Sequence, residues 1–468
     1  LSLFCFPISI LAFINILHAS YFDYFLSIDT YFLSVETYFI TLIVSLSAGF
    51  GFLYYGKNSK KNIDFIEQLI LVIISYFLTS LLIAIPFYLS NYQVTFINSI
   101  FESVSGLTGT GFSIFKDIKY LDPTLILWRS SSQWFGGLFF LFFLIIVFSN
   151  KSFNYKLTNL SFSGDNNFKS EENIKDNLLK IFIIYSVLSI IILSLLNLTG
   201  VRLFNSLNLT MTLVSGGGFL PTESIKKIIS TNLQKIILIF SLIVSMLNFY
   251  LLFNIFNKNT LIKEHKEDFY LFVLSIIFCL FIYFNNYQGL DLMISVVSSL
   301  ANSGLTLMES NNNLSLYFLL ITIIGGSLIS NSSGIKFTRF YILLKITSLE
   351  IIKLISPNSI INKTIFNSDK KISDDNVKIS FLIFISFFLS LFILSSLLVF
   401  DNIGFEKSFK LSILTLTNTV NSEMFNMQNL NFANLLTSSK ISLILFMIIG
   451  KIELISIFLI FKKILFKY

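Results

Sequence analysis

An all-α integral membrane protein, with four pseudosymmetric helix–pore-helix–helix repeats around one pore behind two extra transmembrane helices, is the fold class this sequence predicts. Three observations lead there. The 468 residues are 54% hydrophobic and only 13% charged, with a mean hydropathy of +0.79, whereas soluble domains carry about 25% charged residues. Apolar runs of membrane-spanning length recur along the whole chain, about ten in all. Between them lie four shorter, half-apolar segments, each ending in a cluster of Gly, Ser, Thr or Asn. A helix does not continue comfortably through such clusters, and irregular backbone at membrane depth persists only inside protein or beside a wet cavity. Four breaks at matching places predict one pseudosymmetric pore.

Two leading spans, Leu3–Leu17 and Thr37–Tyr55, occupy residues 1–62. No small-residue cleavage site follows the first run, which therefore reads as a retained helix. Ser20–Glu36 is expected to be a loop, with acids but no Lys or Arg, whereas Lys57, Lys60 and Lys61 follow the second span. The positive-inside rule then puts the amino terminus in the cytoplasm.

Repeat one, 63–150, has spans Phe65–Leu89 and Leu125–Phe148 around the short segment Val94–Leu107. Repeat two, 151–258, has Ile181–Leu198 and Ile236–Phe256 around Leu203–Val214. Repeat three, 259–356, has Phe269–Phe284, the short Leu290–Leu300, and Leu314–Leu344 interrupted at 325–334. Repeat four, 357–468, has Phe381–Phe400, the short Lys407–Leu416, and Ile441–Phe461. Charged connectors fall on the cytoplasmic side except at Lys226 and Lys227, near the outer face, for which the sequence offers no account. None of these connectors is long enough for a soluble domain.

The breaks centre on positions 111, 218, 304 and 421. Carbonyl oxygens at such breaks can replace the water shell of a cation. Four short helices ending there would aim the negative ends of their dipoles at it. Other chemistry finds little support. Cys5 and Cys279 form no CxxC, His18 and His265 stand alone, and no GxxxxGK[ST] phosphate loop is present. Acids scattered through connectors argue against a membrane-embedded enzyme. Charges in or at the ends of spans are expensive and usually functional, which singles out Arg129, Lys336, Lys451 and Glu453. Positive-inside anchoring is the competing reading for Lys336 and Arg339. Glu102 either attracts ions directly or supports the loop beside it, and Glu423 adds a carboxylate near the mouth.

Five motifs carry a resemblance. Phe101-Glu102-Ser103-Val104-Ser105-Gly106-Leu107-Thr108-Gly109-Thr110-Gly111 is the first, and Trp128 through Gly137 opens the next helix. Ser215 to Phe219, the segment from Gly325-Gly326-Ser327 to Ser333-Gly334-Ile335-Lys336 and Arg339, and Gly450-Lys451-Ile452-Glu453 complete the set. Together they resemble the Trk/Ktr/HKT superfamily of potassium transporters, specifically its TrkH branch, the membrane subunit of bacterial Trk potassium uptake.

The resemblance implies a selectivity filter formed by Thr108, Gly109, Thr110, Gly111, Ser215, Gly216, Gly217, Gly218, Asn302, Ser303, Gly304, Thr419, Val420 and Asn421. Potassium would be held at Thr110-Gly111, Gly217-Gly218, Ser303-Gly304 and Val420-Asn421. Gating would fall to Gly325, Gly326, Ser327, Ser333, Gly334, Lys336, Lys451 and Glu453, with the Lys451 cation standing in the pore and pairing with acids. It further implies a homodimer in the bacterial cytoplasmic (inner) membrane, docked on a cytosolic TrkA-type nucleotide-binding regulatory ring, with no enzymatic role and no nucleic acid partner. Asn421, where the family has its fourth filter glycine, opens an alternative. On that reading the chain is a sodium-permeable or mixed monovalent cation transporter, with Asn421 the filter residue able to take the left-handed backbone that the glycine would supply.

Overall fold

The computed structural model describes residues 1–26, 30–57, 65–148, 174–249, 251–252, 266–283, 289–308, 312–356, 363–366, 372–427 and 430–452. Fifteen α-helices account for nearly all regular structure among them. The leading pair is α1 (Ser2–Leu26) and α2 (Thr30–Gly56). Repeat one is α3 (Phe65–Leu89), α4 (Phe96–Thr108) and α5 (Pro123–Phe148). Repeat two is α6 (Ile174–Leu198), α7 (Leu203–Ser215) and α8 (Asn232–Met246). Repeat three is α9 (Lys266–Tyr283), α10 (Gly289–Leu300), α11 (Asn312–Ile324) and α12 (Phe337–Ile355). Repeat four is α13 (Asp374–Phe400), α14 (Phe405–Leu416) and α15 (Thr437–Ile452).

Five helices are long and apolar enough to cross a membrane: α1, α2, α3, α6 and α13. Serine and threonine hydroxyls on these helices bond back to their own carbonyls, as Thr79 does to Ser75 O at 2.7 Å and Ser380 to Asn376 O at 2.8 Å. Two of the helix starts are fixed by side-chain caps. Thr231 and Gln234 form a reciprocal capping box at α8, and Ser373 Oγ accepts from Asn376 N at α13.

Two expectations on element bounds are corrected. Most of the anticipated loop Ser20–Glu36 is helix, because α1 runs on to Leu26 and α2 begins at Thr30. Its Tyr- and Phe-rich stretches satisfy their backbone by staying helical. The second span of repeat two is broken after Met246; residues 249, 251 and 252 are helical again, and residues 253–256 lie outside the described residues. The last carbonyl of α8, Met246 O, accepts from Ser327 N, and the Asn248 and Phe249 amides are taken by Asp268 Oδ1 and Ile329 O. Tertiary partners therefore break the helix where composition would have continued it.

The short helices α4, α7, α10 and α14 sit at the centre, and the second helix of each repeat packs on the short helix of the next. Helix α5 lies on α7, α8 on α10, α11 on α14, and α15 closes the ring on α4. Glycine lets α5 approach both α4 and α7 closely. A Cβ on Gly136 would fall 2.7 Å from Leu107 C and closer still to its oxygen, and one on Gly137 would fall 2.9 Å from Ser215 Cα. One helix thus seats the carboxyl ends of two short helices.

Candidate functional site

All four short helices end in the same way. Their cap residues, Gly109, Gly216, Asn302 and Asn418, have φ of 79°, 69°, 59° and 49°. Glycine takes this left-handed backbone freely, and Asn is among the non-glycine residues that tolerate it best. In three quarters the next amide bonds back into the helix: Gly217 N to Thr212 O at 2.8 Å, Ser303 N to Ser298 O at 3.1 Å, Thr419 N to Leu414 O at 2.9 Å. In the first quarter Gly111 N reaches Ser105 O at 3.3 Å.

This common cap sets the register and corrects one expectation. Counting two residues past each cap gives Gly111, Gly218, Gly304 and Val420, so Asn421 is one position too far. Asn421 is not among the left-handed residues; its side chain donates to Met427 O at 3.2 Å. Asn418 fills the left-handed role instead. The four residues meet at the centre: a Cβ on Gly111 would lie 2.9 Å from Gly218 Cα, and one on Gly304 would lie 2.9 Å from Val420 Cγ1 and O. A signal for this was present in the sequence. Leu107-Thr-Gly109, Val214-Ser-Gly216, Leu300-Ala-Asn302 and Leu416-Thr-Asn418 share an apolar–small–cap pattern.

One residue past each cap, Thr110, Ser303 and Thr419 bring hydroxyls inward while Gly217 brings none. Thr110 Oγ1 pairs with Thr108 Oγ1 at 2.7 Å, Thr419 Oγ1 with Thr417 Oγ1 at 2.9 Å, and Ser303 Oγ with Ser298 Oγ at 3.0 Å. Beside Gly217 stands Gln133 of α5, fully buried, whose Oε1 accepts from Phe219 N at 3.2 Å. The quarters are cross-linked by the cap asparagines. Asn418 Nδ2 donates to Thr110 Oγ1 at 2.9 Å, joining the fourth quarter to the first, and Asn302 Nδ2 donates to Thr419 Oγ1 at 3.4 Å, joining the third to the fourth.

Behind the first break, buried Glu102 and Arg129 form an ion pair at 2.8 Å. Glu102 Oε2 accepts from Ile114 N at 2.8 Å, Arg129 Nη2 donates to Ser113 Oγ at 2.9 Å, and the guanidinium lies 4.2 Å from the Phe219 ring centroid. Of the two readings of Glu102, the supporting role is the one observed. Arg129 uses two faces of its planar fork plus ring stacking, a set a lysine cannot reproduce. Phe432, from the loop after the fourth break, stacks on Phe112 at 4.7 Å and so ties the fourth quarter to the first.

Beneath the four caps runs the segment between α11 and α12. Gly325 and Gly334 have φ of 70° and 82°, and Lys336 has φ of 78°. Gly326 N donates to Ser332 Oγ at 3.0 Å, and Ser327 N to Met246 O at 3.0 Å. Buried Lys336 donates to Ser330 O at 3.2 Å and to Ser332 O, which holds its left-handed backbone in place. Above, Ser333 Oγ donates to Asn418 Oδ1 at 2.9 Å and Asn331 Nδ2 to Val214 O at 2.9 Å. Below, Leu328 N donates to Glu267 Oε1 at 2.8 Å. Glu267 and Asp268, which sequence reasoning left in a connector, therefore anchor this segment; their only sequence signal is a pair of acids at the mouth of an apolar span. Lys336 and Arg339 are both buried within the field of Glu267, so surface anchoring does not describe them.

Lys451 is buried, and its Nζ donates to Asn331 O at 2.8 Å and lies 4.7 Å from the Phe140 ring centroid. A Cβ on Gly109 would come within 4.0 Å of it. The expected pairing of Lys451 with acids is thus replaced, among the described residues, by a carbonyl and an aromatic face. Glu453 lies outside the described residues.

Above the breaks opens a cavity of about 710 Å³. Glu423 lines it but is not a free cation attractor, because Lys226 Nζ sits 3.2 Å from its carboxylate. Lys227 is likewise paired with Glu223, whose carboxyl that hydrogen bond holds below its usual pKa. The two lysines that contradicted the charge asymmetry are therefore balanced locally by two acids.

Comparison with known proteins follows this geometry. A family model described as TrkH, cation transport protein, matches residues 34–265. An uncharacterized cation transporter of Methanocaldococcus jannaschii is 25% identical over 444 residues, which cover 89% of this chain and 87% of that protein. The Trk system potassium uptake protein TrkG of Escherichia coli is 27% identical over 448 residues, covering 90% of each. The crystal structure of the potassium transporter TrkH from Vibrio parahaemolyticus superposes with a TM-score of 0.81 at 20% identity, covering 98% of this chain and 97% of that one. That last likeness establishes the fold.

Proposed function

We propose, from the match to the TrkH family of cation transport proteins over residues 34–265 and the likeness to TrkG, that the chain takes up potassium across the bacterial inner membrane. It is a transporter rather than an enzyme. Cations gather in the outer cavity, lose water to backbone carbonyls at Thr110-Gly111, Gly217-Gly218, Ser303-Gly304 and Thr419-Val420, and pass down between the four caps. The carboxyl ends of α4, α7, α10 and α14 add the negative ends of four helix dipoles at that level. One observation carries this reading: four chain breaks far apart in sequence share one left-handed cap and converge at Gly111, Gly218, Gly304 and Val420.

Below the filter, the 325–336 segment and Lys451 act as the gate. The segment hydrogen-bonds to the second and fourth quarters, and the Lys451 ammonium holds it from the side of the first. A fixed ammonium under the filter repels a descending cation, so conduction requires the Asn331 carbonyl and Lys451 to part. A homodimer and a TrkA-type regulatory ring belong to the same reading, with the ring supplying nucleotide control that the chain has no phosphate loop to provide. Expression in a bacterium lacking potassium uptake tests it: growth at low potassium with rubidium tracer accumulation is expected, and no growth would refute it.

Val420 favours a second reading. Its side chain stands where three quarters have glycine, and a filter of unequal quarters discriminates potassium from sodium less sharply. Comparable rubidium and sodium uptake by the same cells would establish that mixed-cation alternative.

A further inference from the structure

We infer that Lys226 and Glu423 form an ionic latch across the mouth of the pore that sets how strongly the outer cavity collects cations. The inference rests on the uptake reading above and adds a determinant of apparent affinity to it. Lys226 stands on the 3-10 turn Ile225–Lys227 after the second break, and Glu423 opens the 3-10 turn Glu423–Phe425 after the fourth. The turns are anchored by buried neighbours, Ile225 on one side and Met424 and Phe425 on the other. Their charged ends are therefore held over the cavity rather than free to drift. The side chains are 35% and 28% exposed and 3.2 Å apart. Both line the same cavity as Gly111, Gly218, Gly304 and Val420.

A pair in this place does two opposing things. The carboxylate would raise the local cation concentration, as a mouth charged oppositely to the ion does in any steered pore. The ammonium cancels it and is itself a tethered cation that competes for the same space. An exposed pair of this kind adds little to folding, so its removal acts on ion capture and not on the fold. The exposed pair Lys353–Glu350 on α12 contributes no residue to the cavity lining, which makes it the control.

The signature is a change of opposite sign in the two single variants. Rubidium uptake by cells carrying Lys226→Met should show an apparent KM lowered about two- to fivefold at low ionic strength, with maximal rate kept. Glu423→Gln should raise KM by a similar factor, and the double variant and the swap K226E/E423K should return close to the unaltered chain. Both effects should shrink as choline chloride is added to shorten the screening length. Lys353→Met should leave KM unmoved. If the two single variants shift KM in the same direction, or neither shifts it, the latch is refuted while the uptake reading stands. Absence of rubidium uptake by the unaltered chain refutes both. Size-exclusion profiles in detergent confirm that each variant is folded, and the charge swap covers any single variant that is not.

Discussion

Replacing Gly136 with alanine adds one methyl group at the tightest joint between a membrane helix and the pore. The added Cβ would sit 2.7 Å from Leu107 C and 2.9 Å from Leu107 Cα, where unstrained carbon contacts begin at about 3.5 Å. The obstruction is backbone, so no side chain can rotate aside; α5 or the end of α4 must move by roughly an ångström. Overpacking of this kind costs about 1–3 kcal/mol. Alanine returns about 1 kcal/mol of helix propensity, leaving a net loss of up to about 2 kcal/mol, at the upper end of that range because the clash is with backbone. Leu107 lies two residues before the cap Gly109, so the displacement passes directly into the first quarter of the filter. We therefore expect G136A to melt at a lower temperature in detergent and to take up rubidium at least tenfold more slowly, with a reduced preference for rubidium over sodium. Gly51 on α2 has nothing within 4 Å of its added Cβ, so G51A should melt at or above the unaltered temperature and transport normally. Normal uptake and melting by G136A would show that α5 does not seat the pore helix as described.

Arg129→Lys keeps a cation against Glu102 but loses the Ser113 bond and the face on Phe219; a lost charge-assisted bond of about 1.5–3 kcal/mol should lower rubidium uptake at least tenfold, whereas Lys451→Arg should transport. Val420→Gly gives the fourth quarter the residue found at its three equivalents and should raise the rubidium-to-sodium uptake ratio, at about 0.5–1 kcal/mol of stability; an unchanged ratio would remove Val420 as a selectivity determinant. Lys451→Met deletes the ammonium beneath Gly109 and its bond to Asn331 O, so flux into vesicles containing the chain alone should rise several-fold. Vesicles as tight as those with the unaltered chain would argue that Lys451 is not part of the gate.

The sequence by itself determined the membrane class, the order of helices, the four breaks and the glycines at 111, 218 and 304, because apolar run length and helix-breaking residues act locally. It also picked out Arg129 and Lys451, since a charge inside an apolar run is costly wherever the chain folds. The tertiary structure decided what each of those groups meets. Asn418 rather than Asn421 takes the left-handed cap because packing against Thr110 and Met447 holds it there, with 308 residues separating Asn418 from Thr110. Lys451 settles on the Asn331 carbonyl and Glu423 on Lys226, pairings across 120 and 197 residues that no spacing rule reaches. Residue type sets what a side chain can bind. Only the closed ring of short helices sets which partner is within reach.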